Sequence, residues 1–94
     1  MRIERIIVPA STLDKLHWKH HVSEEEVHQV LRSHPKIDFV EKGKIGGENI
    51  YLALGQTDSG RYLSVFFIYK MNKDTIVVSA RDMAKKERRR YEKK

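Results

Sequence analysis

Tyr62-Leu63-Ser64-Val65-Phe66-Phe67-Ile68-Tyr69 is apolar at nearly every position. A strand with one wet face alternates apolar and polar residues, so an unbroken run points to a strand covered on both faces. The sheet is expected to centre here. Just upstream, Thr57-Asp58-Ser59-Gly60 is a turn signal. Before it, Ile50, Leu52 and Leu54 point one way while Tyr51 and Ala53 point the other, so the two runs read as a hairpin. Downstream, Met71-Asn72-Lys73-Asp74 turns the chain and Thr75 to Ser79 reads as the last strand. Ile37-Asp38-Phe39-Val40-Glu41 alternates in part and is parted from Ile50 by Lys42 to Gly47, a loop with three glycines.

The N-terminal third reads differently. Arg5-Ile6-Ile7-Val8 is a short β-branched strand that stops at Pro9, and its proline suits a sheet edge. Ser11 or Thr12 is placed to cap a helix over Leu13 to His21, with Leu13, Leu16 and His20 at helical spacing. Trp18 in that helix is expected to pack into the core. Ser23-Glu24-Glu25-Glu26 has the form of a capping box, and Val27, Val30 and Leu31 make the apolar stripe of a second helix that must end before Pro35. Helices followed by a strand meander argue an α+β fold. The expectation is one domain over residues 5–92: a small antiparallel sheet of four to five strands, two N-terminal helices and a basic C-terminal helix.

The charge is concentrated at that end. Arg81 to Lys94 holds eight Lys or Arg against three acidic residues, so 8 − 3 = +5 of the chain's +6. Met83, Ala84, Glu87 and Tyr91 share one face of the terminal helix, and the rest is charge. A local basic element raises the prospect of a polyanionic partner. There is no cysteine, which removes disulfides, thiolate metal sites and a cysteine nucleophile. No run approaches transmembrane length and no leader pattern opens the chain, so the cytoplasm is the expected location and no membrane partner is expected.

Three constellations offer chemistry. His17 and His21 are four apart, the spacing of a two-histidine metal pair, but no third ligand is evident and no metal is expected. Arg61, beside the hairpin turn, and Arg81, at the close of the last strand, are placed to present guanidinium groups to a phosphate. The competing readings are a solvated turn residue for Arg61 and an ion pair with Glu87 or Asp82 for Arg81. The Lys85-to-Arg90 run serves either phosphate steering or plain solvation.

Three segments resemble the BrnT family of bacterial toxins. Lys19-His20-His21-Val22-Ser23-Glu24-Glu25-Glu26-Val27 is similar to its "KHGVSFEEA" segment. Leu54-Gly55-Gln56 with Gly60-Arg61-Tyr62-Leu63 is similar to its "x-G-x…GR-x-L" hairpin. Ser79 through Tyr91 is similar to its closing "SAR-x-A-x-x-x-ER-x-x-Y". The family commonly opens with "F-x-W-D", where this chain has Ile6-Ile7-Val8-Pro9, and its "N-x-x-K-H-G" is here Leu16 to His21 without the asparagine and glycine. The resemblance implies a fold like the RelE-type ribonuclease toxins and a place in a type II toxin–antitoxin module. RNA is then the substrate, a cognate antitoxin the protein partner, and operon DNA is reached only through the antitoxin.

RNA cleavage without metal or cofactor uses the 2′-hydroxyl as nucleophile and needs a base, an acid and positive charge on the phosphorane. His20 is the titrating candidate, with Lys19 or Lys85 as alternates. Arg61 and Arg81 are candidates for holding the phosphate. Lys86, Arg88, Arg89, Arg90 and Tyr91 are candidates for gripping RNA. No acidic pair stands out as a general base, so a non-catalytic RNA- or protein-binding module stays open beside the enzyme.

Overall fold

A computed structural model describes residues 1–43 and 48–93. Most of the expected glycine loop, Lys42 to Gly47, therefore lies outside the described residues. The chain runs β1 (Arg5–Ile7), α1 (Ala10–Lys15), a π-helical turn (Leu16–His20), α2 (Glu24–Arg32), β2 (Lys36–Glu41), β3 (Ile50–Gln56), β4 (Tyr62–Tyr69), β5 (Asp74–Asp82) and α3 (Lys85–Glu92). The five strands lie in the order β1-β5-β4-β3-β2, which puts the apolar run of β4 at the centre as its composition requires. The fold is α+β.

The sheet is mixed, not wholly antiparallel. β2 to β5 form the expected meander, while β1 pairs parallel to β5 with Ile6 opposite Thr75. The helices carry the chain from one sheet edge to the other, so the first strand finishes beside the last.

One face of the sheet holds the core. Leu63, Val65 and Phe67 of β4, Val77 and Ala80 of β5 and Ala53 of β3 are fully buried with Leu16, Val22, Val27, Val30 and Leu31 from the helices. Each large side chain stabilises the fold by roughly 1.5–3 kcal/mol relative to exposure. The other face carries α3 over one end. Ser64 and its cross-strand partner Leu54 are fully buried there.

Expectations for α2 hold in detail. Glu26 N donates to Ser23 Oγ at 3.1 Å and Ser23 N to Glu26 Oε1 at 3.0 Å, so the capping box is closed. The first helix departs from expectation. It starts at Ala10 behind Pro9, which takes the N-cap position with φ −56° and ψ 148°, and there is no side-chain cap because proline carries no side-chain acceptor. It then widens into the π turn and stops at His21, whose φ is 52°. Trp18 is not a core residue but 83% exposed. Leu16 occupies the buried side of the turn, and a residue two positions on projects to the opposite side.

The last strand also runs further than Thr75 to Ser79. It continues to Asp82 through a bulge, where Phe66 pairs with Ser79 but Phe67 pairs with Val77. Ala80, Arg81 and Asp82 are thus part of the strand. Strand alternation then sends Arg81 and Asp82 to opposite faces of the sheet.

Candidate functional site

Two arginine-centred clusters flank the end of β5, one on each face. On the helix face stands Arg61, positioned by the turn that precedes β4. Gly60 closes that turn at φ 91°, and Arg61 N is held by Thr57 Oγ1 at 3.0 Å. Its guanidinium donates Nε to Asp82 Oδ1 at 2.8 Å and Nη2 to Asp82 Oδ2 at 3.3 Å. Nη1 reaches the His21 carbonyl at 2.8 Å and the Glu26 carboxylate at 3.2 Å, and Nη2 reaches the His20 carbonyl at 3.0 Å. A guanidinium has five N–H donors, and this geometry directs all of them to protein acceptors. Arg61 thus ties the end of the π turn, the start of α2 and the end of β5 together.

The electrostatics follow from the contacts. The hydrogen bond from Arg61 holds the Asp82 carboxyl below its ordinary range against the opposing effect of burial, and the nearby His20 adds to this. Burial pushes the Glu26 carboxyl up, but the Ser23 amide and Arg61 outweigh it and hold it low. Asp82, in turn, raises Arg61 further above its normal value, with Glu26 assisting.

On the opposite face Arg81 meets α3. Its Nη1 lies 2.6 Å from Glu87 Oε1 and its Nη2 2.8 Å from Glu87 Oε2, a bidentate pair, and its guanidinium carbon lies 5.3 Å from the centre of the Phe66 ring. Nη1 also donates to the Asp82 carbonyl at 3.2 Å. The ion pair with Glu87, the competing reading for Arg81, is therefore realised. Two donors remain, Nε–H and one Nη2–H, with no acceptor among the described residues. Glu87 is a hub: Ser64 Oγ donates to it at 2.9 Å and the Ala84 amide at 2.8 Å. Burial pushes its carboxyl up, while Arg81, the Ala84 amide and Ser64 together hold it low.

The rest of α3 is anchored through polar contacts. Tyr91 packs edge-on against Tyr62 at 6.0 Å between ring centres. Arg88 stacks over the Tyr62 ring at 3.9 Å, and Arg90 pairs with Asp38, Nε to Oδ2 at 3.1 Å. Lys36 Nζ caps the end of the helix, donating to the carbonyls of Arg90 at 2.9 Å and Lys93 at 2.6 Å. Lys85, Lys86 and Arg89 are exposed and have no ion-pair partner among the described residues.

The structure thus brings His20, Arg61 and Asp82 together on one face and sets Arg81 and α3 on the other, the two clusters joined through residues 81 and 82. Lys19 is exposed on the π turn, and Lys85 opens α3. Asp82 and Glu26 are the residues that sequence reasoning passed over as site members. Asp82 stands at a variable position of the closing motif, and Glu26 was accounted for by its cap. The usable signal was strand alternation, which sets an Asp82 carboxylate on the face that Arg61 occupies. Among the described residues no three His, Asp or Glu side chains converge as metal ligands, His17 and His21 included.

A sequence model of the family described as "Ribonuclease toxin, BrnT, of type II toxin-antitoxin system" matches residues 13–87. The chain belongs to the BrnT family. The match takes in every element that builds the two clusters, from Leu13 of α1 to Glu87 of α3, and leaves out β1. No curated protein matches the chain. Glu87, the last matched residue, and Arg88 and Tyr91 just beyond the match hold α3 to the sheet. Membership in a type II toxin family implies an RNA substrate and an antitoxin partner. No helix among the described residues is long and apolar enough to cross a membrane.

Proposed function

We propose that this BrnT-family chain cleaves RNA without a metal ion, by attack of the 2′-hydroxyl on the adjacent phosphate, and that a cognate antitoxin in the cytoplasm neutralises it. The domain carrying the activity spans residues 5–92. The observation that supports the reading most is the division of labour between the two arginines. Arg81 keeps two unassigned N–H donors at the rim where β4 begins and β5 ends, and charge-assisted donors of this kind stabilise a phosphorane in the transition state. Arg61 has none to spare, so its role is to position: it fixes the His20 backbone and holds Asp82 beside that residue. His20 then acts on the 2′-hydroxyl proton, contributing on the order of 10²- to 10⁴-fold as such groups do. Lys85, at the start of α3, and Lys19, exposed on the π turn, add positive charge. Lys86 and Arg89 attract the backbone, while Arg88, Arg90 and Tyr91 hold their helix in place.

The test is expression with and without the substitutions. His20→Ala and Arg81→Ala are each expected to abolish growth inhibition and RNA cleavage in chelator while leaving a folded protein by circular dichroism. A wild-type protein that inhibits nothing and cleaves no RNA would sink the enzyme reading. One observation favours the second reading, a module that binds without catalysis: both arginines are already engaged by carboxylates. That reading expects RNA or antitoxin binding with no cleavage at any pH.

A further inference from the structure

Trp18 is the single tryptophan of the chain and is 83% exposed. Tryptophan offers one of the largest apolar surfaces of any side chain, so leaving it in water forfeits stability and calls for a reason. It stands on the π turn Leu16–His20, a helix form that is rare and concentrated at functional sites. The neighbours that share its exposure are His17, Lys19 and His21. A shallow depression of about 270 Å³ beside it is lined by His17, Trp18 and His21. A protein-binding hot spot has another make-up: an aromatic anchor in a well-packed apolar patch from which charge is depleted. Three flat rings with a lysine beside them suit a planar base and the phosphate attached to it.

We propose that Trp18 is a stacking platform for an unpaired nucleobase, with His17 and His21 flanking the base and Lys19 facing the adjoining phosphate. This rests on the ribonuclease reading and narrows its substrate class to single-stranded RNA, because a base in a duplex has both faces covered by its neighbours. His20 lies two residues along the same turn, so a base held at Trp18 sits within a few nucleotides of the phosphate to be cut.

Because there is one tryptophan, fluorescence excited at the red edge, beyond the absorption of the four tyrosines, reports on this position alone. The probe is a 2′-O-methyl single-stranded RNA of about ten nucleotides, which cannot be cleaved through its 2′ oxygen. Titration is expected to quench Trp18 to saturation, and a duplex of the same sequence is not. Trp18→Ala is expected to weaken binding, read by anisotropy of labelled RNA, on the order of tenfold. Trp18→Phe retains most of the affinity, and both variants keep the wild-type affinity for heparin, a polyanion with no bases. RNA that binds without quenching, and with equal affinity in Trp18→Ala, overturns the platform and leaves the ribonuclease reading standing. A wild-type protein that neither binds this probe nor cleaves RNA removes both. If Trp18→Ala keeps its RNA affinity but loses affinity for a cognate antitoxin, the indole is a protein contact and the proposal is wrong.

Discussion

Replacing Arg61 by alanine tests the tether directly. The substitution removes the donor for two carboxylates and two backbone carbonyls at once. The Arg61 side chain is 26% exposed and Glu26 24%, while Asp82 is 67% exposed. Breaking a fully buried pair by deleting one partner costs about 3–5 kcal/mol, and an exposed pair contributes about 0–1 kcal/mol. The Glu26 half of this site sits nearer the first limit and the Asp82 half nearer the second. The bonds to the His20 and His21 carbonyls are charge-assisted but partly wet, so water recovers some of their loss. The sum comes to about 2–3 kcal/mol. For a domain of this size that lowers Tm by roughly 10–20 °C. Lysine, a point charge with no fork, is expected to recover less than half of the loss.

Thermal denaturation followed by circular dichroism reads the effect. A double-mutant cycle with Asp82→Asn refines it: Arg61→Ala should cost less in the Asp82→Asn background, by about 0.5–1 kcal/mol. An Arg61→Ala protein that melts within about 2 °C of wild type would refute the tether and return Arg61 to the pool of phosphate ligands. Activity alone cannot decide this, since a positioning residue and a ligand both lower cleavage when deleted.

Acid should loosen the same contacts. Glu26, Asp82 and Glu87 all have carboxyls held below their unfolded values, so their stabilisation is fully present above the unfolded range, about pH 4–5, and is lost as pH falls through the lower folded values. Tm measured from pH 7 to pH 3 is expected to fall, and Glu87→Gln to start lower at neutral pH and fall less. Gly55→Ala places a methyl 3.1 Å from Val30 Cγ1 and 3.3 Å from Ser33 Oγ, so those side chains must give by a few tenths of an ångström. That overpacking should cost about 1–2 kcal/mol in urea denaturation, whereas a neutral result would mean the α2–β3 contact yields freely. Replacing Lys85, Lys86 and Arg89 together by alanine should reduce the slope of log K against log salt for single-stranded RNA by about 2 if all three meet phosphates. An unchanged slope would assign them to solvation.

The sheet was legible because its pattern is local and strong. An unbroken apolar β4, two turn signals and a capping box leave few alternatives, and each appears where the residues put it. The edge was not legible: nothing in Arg5-Ile6-Ile7-Val8 says which strand it joins or in which direction, since that depends on where two helices set the chain down. Trp18 misled for another reason. Helical spacing already sets Trp18 opposite Leu16 at either pitch, but hydrophobicity alone assigns the largest apolar side chain to the core. Both arginines were found from sequence, their partners only in part. Arg81 and Glu87 are six apart and their pairing could be weighed as an alternative. Arg61 meets Asp82, 21 residues on, and Glu26, 35 residues back, distances that only the finished sheet can close.

The basic helix illustrates how one charge run serves two ends. Judged by apolar burial alone, α3 is held weakly, since Met83 and Tyr91 are only half-buried. Yet it is fixed at both ends by charge. Glu87 binds its first turn to Ser64 and Arg81, and Lys36 takes the free carbonyls of its last turn while Arg90 reaches Asp38. Cations near a helix C-terminus are favourable in themselves. The inward charges are thereby spent on docking, and Lys85, Lys86 and Arg89 stay outside. The eight cations of this segment are thus not all available to RNA. Arg81, Arg88 and Arg90 are partly neutralised by Glu87, Glu92 and Asp38. An electrostatic grip built from what remains is weak at physiological salt. A toxin that selects RNA would need contacts that salt does not screen, and an exposed indole beside the acid–base candidate is a contact of that kind.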